Sequence, residues 1–120
     1  MDKGDLARLK HMKRYCEDVE ITVNRFGNTL DVFSKDIDFY NSVSMSIMQI
    51  GELANGLSER FRESTREQMP WGLIIGMRNH FAHGYATMDK SDIWETAEKD
   101  IPILLEFCAH VIKNSTIKSE

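Results

Sequence analysis

The sequence predicts an all-α fold, an up-down bundle of four to five helices, on three observations. Apolar residues recur at steps of three and four along most of the chain, the period of amphipathic helices. No stretch alternates apolar and polar residues with β-branched enrichment, so strands are not expected. Helix punctuation such as Gly27-Asn28, Pro70 and Gly84 falls between the stripes. At 120 residues the chain has the length of one domain, and roughly 65% of its unfolded surface can be buried at that size. The domain is assigned to residues 1–113, with 114–120 as a polar tail expected to fray.

The first stripe, Leu6, Leu9, Met12, Cys16, Val19, Val23 and Phe26, predicts a helix that Gly27-Asn28 ends. Thr29 to Phe33 reads as a linker or a single turn. Val43, Ile47, Ile50, Ala54, Leu57 and Phe61 then predict one long helix from about Asp36 to Arg62. Ser64-Thr65 with Gln68 resembles a capping box for one short turn, and Pro70 is suited to starting a helix from Trp71 to about His83. Gly84 is expected as a left-handed C-cap, with Tyr85 to Lys90 as a loop. Asp89 or Ser91 caps a last helix whose stripe is Trp94, Ala97, Ile101, Leu104, Cys108 and Val111. Pro102 removes a backbone donor inside it and should kink or split it.

Composition narrows the function classes. Hydrophobic residues at 42% and charged residues at 28% are ordinary for a globular protein. The longest apolar runs are too short to cross a bilayer, and Met1 to Asp5 carries no apolar signal region, so a cytoplasmic protein without a membrane partner is expected. A net charge of −4 argues against coating nucleic acid through a broad basic surface, but it leaves room for a local site. Lys3, Arg8, Lys10, Lys13 and Arg14 form one cationic cluster, either the solvated face of the first helix or a patch that steers polyanions. Cys16 and Cys108 both lie on apolar stripes and read as buried thiols, since their spacing matches no metal motif.

The segment Arg78-Asn79-His80-Phe81-Ala82-His83-Gly84-Tyr85 carries the chemistry. Arginine offers phosphate a forked, permanently charged donor, and histidine titrates near neutral pH. Cleaving RNA without a metal needs a base for the 2′-hydroxyl proton, an acid for the leaving oxygen and a cation for the pentacoordinate phosphate. His83 and Arg78 are sufficient in kind. Asn79 and His83 are i and i+4, so the Asn79 amide can hold the imidazole or donate to phosphate. Arg78 points about 140° away from His83 around the axis. The two converge through arginine's long arm, a helix end distorted at Gly84, or a second subunit. The second subunit is favoured, because Gly72 and Gly76 would let two backbones approach.

The same residues also have a plain structural reading, in which Arg78 pairs with a carboxylate and His83 caps a helix C-terminus, an effect of ~0.3–1 kcal/mol. His80 with His83 could form a metal pair, but no third ligand is evident and no metal is expected. Glu52 is either a solvated acid or a buried partner that orients Arg78. Trp71, Trp94, Met45, Met48 and Met77 read as core or interface packing.

Arg78 through Tyr85 matches Arg-x-x-x-x-His-x-Tyr, and in this the chain resembles the HepT-like branch of the HEPN superfamily. Further landmarks appear in the right order: Ile50-Gly51-Glu52-Leu53-Ala54, Pro70-Trp71 leading to Ile74-Ile75-Gly76-Met77-Arg78-Asn79, Ile93-Trp94, and Asp100-Ile101-Pro102. The likeness spans about residues 8 to 112. It implies an HEPN-like bundle and the toxin of a type VII-like toxin–antitoxin pair, a homodimeric endoribonuclease needing neither metal nor cofactor. By that resemblance Arg78 and His83 are catalytic and Asn79 supports them. The partner would be an MNT-type nucleotidyltransferase antitoxin that transfers AMP from ATP to Tyr85. Two other readings stand beside it: a non-catalytic helical module that presents a substrate or nucleotide to a nucleotidyltransferase, and a plain dimerisation module.

Overall fold

A computed structural model describes residues 1–84 and 89–119, without the side chains of Ala82, His83 and residues 116–119. Among the described residues all regular structure is helical, as the stripes predict. The helices are α1 (Lys3–Phe26), α2 (Leu30–Lys35), α3 (Ile37–Gly56), α4 (Glu59–Ser64), α5 (Trp71–Gly84), α6 (Lys90–Glu95) and α7 (Ile101–Ser119), with a π-helical turn over Thr96–Asp100.

Local chemistry accounts for the boundaries. The Asp2 carboxylate accepts from the Gly4 N–H at 2.6 Å and starts α1. The helix ends at Gly27, whose φ of 112° suits glycine, and the N–H groups of Gly27 and Asn28 both donate to the Val23 carbonyl. The stretch expected as a linker or a turn is instead a six-residue helix, α2. Thr29 Oγ1 caps it by accepting from Val32 N–H at 3.2 Å, and its Phe33 is fully buried against Phe39 and Trp94.

The long helix predicted to reach Arg62 stops at Gly56. Leu57 and Ser58 are extended, and Ser58 Oγ caps α4 by accepting from Phe61 N–H at 3.1 Å. The break is held from across the molecule by Asp5. Its carboxylate is 2% exposed and accepts from Ser58 N–H at 2.7 Å and Ser58 Oγ–H at 2.6 Å. A buried carboxylate with two such donors replaces the hydration it has lost. No helical period in the local sequence reports a partner fifty-three positions away.

Ser64-Thr65 does not form the expected capping box. Ser64 closes α4, and Thr65 Oγ1 donates to the Phe61 carbonyl at 2.8 Å while accepting from Trp71 Nε1 at 2.9 Å. Gly84 is the last helical residue of α5 rather than a left-handed residue beyond it. Of the two expected caps for the next helix, Asp89 serves. Ser91 donates to Asp89 Oδ1 from its hydroxyl at 2.6 Å and its N–H at 2.9 Å, which holds the carboxyl below its usual range. Lys90 ties this end of α6 to α2, donating to the Ser34 carbonyl at 2.9 Å while lying over the Tyr40 ring.

Pro102 does disturb the last helix, as expected, and the disturbance takes the form of the π-helical turn. Ile101 N–H reaches back to Thr96 O, five residues away. The widened turn relieves the clash between a proline ring and the carbonyl four residues before it. Beyond it α7 runs through Ser119, so the backbone from 114 continues as helix where fraying was expected.

The bundle is up-down. Asp5 at the start of α1 meets Ser58 past the end of α3, and Phe26 at the end of α1 stacks on Phe39 at the start of α3, so α1 and α3 are antiparallel. Met1, before the start of α1, meets Ser115 near the end of α7, so these two helices are antiparallel as well. The core is built from the predicted stripes: Leu9, Met12, Cys16 and Val19; Val43, Ile47, Ile50 and Ala54; and Trp94, Ala97, Ile101, Leu104 and Cys108 are all buried. Among the described residues no helix is long and apolar enough to cross a membrane.

Both cysteines are free and buried. Burial pushes the Cys108 thiol up to about 12, and it raises Cys16 further, with the nearby Cys108 adding to the effect. Raised folded values mean that the native state favours the neutral thiols. Their contribution to stability should therefore be complete below pH 9, the ordinary thiol value, and lost as pH rises toward 12. Urea unfolding at pH 8 to 11 should show this decline, and Cys108→Ala should shallow the pH slope while lowering stability throughout.

Candidate functional site

The site begins where α3 and α5 touch. A β-carbon at Gly51 would fall inside any real contact distance of Arg78 Cβ, and would stand 3.3 Å from Arg78 Cα and 3.2 Å from the Ile74 carbonyl oxygen. Only glycine lets the two backbones come this close. The contact fixes the height and rotation of α5 against α3. It also places Glu52, the next residue, beside the Arg78 side chain.

Arg78 Nε donates to Glu52 Oε1, and Nη1 donates to Asn79 Oδ1 at 2.7 Å. The side chains are 33% exposed for Arg78 and 47% for Glu52. A pair this open to water contributes only about 0–1 kcal/mol to stability. Its importance is geometric, since it holds a guanidinium by two of its edges. Glu52 thus bonds to Arg78 without being buried, so each of its two sequence readings holds only in part.

Arg78 sits on the α3 side of α5, and Gly72, Leu73, Gly76, Asn79 and His80 are exposed. The backbone position of His83 continues the row of Gly72, Gly76 and Asn79. A bond to Asn79 therefore carries the guanidinium round from the packed side of the helix toward that row. Of the routes by which Arg78 can approach the His83 face, the long arm is visible within one chain. With its oxygen already accepting from Arg78, Asn79 still has both N–H donors of its NH₂ group to offer to an imidazole or a phosphate. The His83 side chain and Tyr85 lie outside the described residues.

His80 is exposed, and among the described residues no three His, Cys, Asp or Glu side chains are grouped as metal ligands would be. Trp71 and Trp94 are core residues, at 5% and 7% exposure, whereas Met45 is 53% exposed on the surface. An apolar groove of about 250 Å³ runs beside the site between α3, α5 and the start of α7, lined by Ile47, Ile50, Leu73, Ile74, Met77 and Leu104.

Comparison with known proteins gives the family. The family model described as "Ribonuclease HepT-like" matches residues 12–111, nearly the whole bundle. The chain belongs to the HepT-like ribonuclease family. It is 34% identical over 96 residues to a protein of Caldanaerobacter subterraneus subsp. tengcongensis provisionally named an RNase, covering 80% of this chain and 83% of that one. Two proteins of Methanocaldococcus jannaschii, also provisionally named RNases, are 27% and 26% identical over 63% and 68% of this chain and 77% and 78% of their own. No solved structure gives a significant match.

In this HepT-like chain the sequence landmarks occupy the positions that build the site. Gly51-Glu52 meets Arg78, Pro70-Trp71 starts α5, and Asp100-Ile101-Pro102 marks the passage from the π-helical turn into α7. Sequence reasoning assigned close approach to Gly72 and Gly76, which have open space around them within one chain, and overlooked it at Gly51. The available signal was a glycine inside a strongly periodic helix, where it costs about 1 kcal/mol relative to alanine.

Two alanine substitutions in α3 should separate this contact from glycine's general effect. Gly51→Ala must displace the α5 backbone and should cost about 1–3 kcal/mol. A β-carbon at Gly56 meets only the far end of the Arg8 side chain, which can swing aside, so Gly56→Ala should change stability by less than about 1 kcal/mol. Chemical denaturation of the two variants measures the difference.

Proposed function

We propose that this HepT-like chain is the toxin of a type VII-like toxin–antitoxin pair, a metal-independent endoribonuclease silenced by AMP transfer to Tyr85. The observation that carries the reading is the Arg78 guanidinium, held by Glu52 and Asn79 at a partly exposed position, in a family of ribonucleases. Arg78 would take the non-bridging oxygens of the scissile phosphate and stabilise the charge that builds there. The 2′-oxygen attacks phosphorus in line with the departing 5′-oxygen, giving a 2′,3′-cyclic phosphate. His83 either removes the 2′-hydroxyl proton or returns one to the 5′-oxygen, a contribution of ~10²–10⁴-fold. Asn79 supports them with its remaining amide donors.

The active form is a homodimer joined along the outer face of α5. Unpacked helical glycines are unfavourable without a neighbour to accommodate, and Gly72 and Gly76 have nothing within 4 Å in one chain. Leu73 at 76% exposure and Ile103 at 59% flank that face. A two-fold axis there brings two copies of Arg78 and His83 to one cleft. The regulatory partner is an MNT-type nucleotidyltransferase. AMP on Tyr85, two residues past His83, would put a bulky anion where an RNA phosphate must enter.

The free protein should cut RNA in EDTA, and Arg78→Ala and His83→Ala should each lose at least about 10²-fold in rate with the fold retained. Supplying the nucleotidyltransferase and ATP should add AMP to the wild type but not to Tyr85→Phe, as read by mass spectrometry. Gly76→Lys should remain folded yet run as a monomer in light scattering and fail to cut. Full cleavage by both Arg78→Ala and His83→Ala would refute the ribonuclease reading. AMP transfer to Tyr85 in a wild-type protein that cuts no RNA at any dose would instead favour a helical module that only serves a nucleotidyltransferase.

A further inference from the structure

We infer that Glu52 is a positioning residue for the reaction, a carboxylate kept beside an anion-binding site because it orients Arg78. The inference rests on the ribonuclease reading above. Electrostatics alone would remove an acid from this place. Glu52 adds negative charge next to the guanidinium that must receive a phosphate, and like charges at this range repel. Little stability is gained in return, because the pair is 33% and 47% exposed.

What the carboxylate supplies is orientation. A guanidinium has five N–H donors in one plane. Glu52 takes the Nε donor and Asn79 takes one on Nη1. Two fixed points on a planar group set its plane and, among the described residues, leave three donors on Nη1 and Nη2 as a fork for non-bridging oxygens. Without Glu52, among the described residues only the Asn79 bond remains, and the long side chain can rotate about it. Gly51 makes the arrangement accurate, because its close approach to α5 lies one residue from the carboxylate. The brace and the backbone contact therefore move as one unit, and Glu52 acts on the substrate only through Arg78.

This role predicts opposite effects on turnover and on binding. Glu52→Ala should lower kcat by about ten-fold or more, as misplacement of a positioned group does. Its KM should stay level or fall by about two- to five-fold, since a repulsive charge is gone. Glu52→Gln still accepts from Nε and should recover kcat to within about three-fold of wild type while keeping the lower KM. The acid limb of the pH–rate profile should persist in Glu52→Gln, because the residue carries no proton in the reaction. In nitrogen-15 NMR the Arg78 Nε–H resonance should be sharp in the wild type and Glu52→Gln, and exchange-broadened in Glu52→Ala. That readout is independent of activity, and thermal melts check the folding of each variant.

An unchanged kcat in Glu52→Ala, with Arg78→Ala inactive, would overturn the inference and leave the ribonuclease reading intact. A Glu52→Gln variant as inactive as Glu52→Ala, and without the acid limb, would make Glu52 a proton carrier and overturn it as well. Cleavage surviving in both Arg78→Ala and His83→Ala would overturn the ribonuclease reading and this inference with it.

Discussion

The backbone contact between Gly51 of α3 and Arg78 of α5 is the constraint on which the site depends. Helices ordinarily pack with axes 8–10 Å apart, separated by their side chains. Where one contributes glycine, the separation closes and the rotation of each helix becomes tightly determined. Arg78 is then anchored at its root by packing and at its tip by Glu52 and Asn79. A long cationic side chain has considerable rotamer entropy to lose on binding an anion. Losing it during folding, through packing that is itself favourable, would leave less to be lost on binding the phosphate of the proposed reaction.

The rest of the bundle supports that contact. α1 packs on α3 and α7, and α3 packs on α5, so α3 lies between the hydrophobic core and the site. Phe33, Phe39 and Trp94 interlock the start of α3 with α2 and α6. Trp71 and Phe107 do the same for the start of α5 against α7. Both ends of the segment that contains Tyr85 are thereby attached to the core: Phe81 is buried on α5, and Lys90 bonds across to Ser34.

Much of the fold was legible because burial follows a helical period. Leu9, Met12, Cys16 and Val19, like Val43, Ile47, Ile50 and Ala54, are core residues where their spacing placed them. What escaped were features decided by a single polar atom or by distant partners. Phe61 fits the period of the preceding stripe, yet a serine cap and a buried Asp5 put it on a separate helix. Thr65 has the composition of a cap and instead joins two helices through the Trp71 indole. At the site, Arg78, Asn79 and Glu52 could be named from the sequence, and the structure brings these three together. Gly51 was marked only by being a glycine inside a periodic helix, a signal that Gly76 shares although it has open space around it within one chain.

The wide turn over Thr96–Asp100 links chain length to the presence of an imino acid. A π-helical turn stores one residue more than an α-helical turn, so deleting a single residue there would restore regular winding without rotating either flank relative to the core. Regular winding would then drive the ring of the residue now numbered Pro102 into the carbonyl one turn earlier. A shortened variant of this segment is thus compatible with the bundle only if the proline is exchanged as well. The surplus residue and the ring are tolerated as a pair.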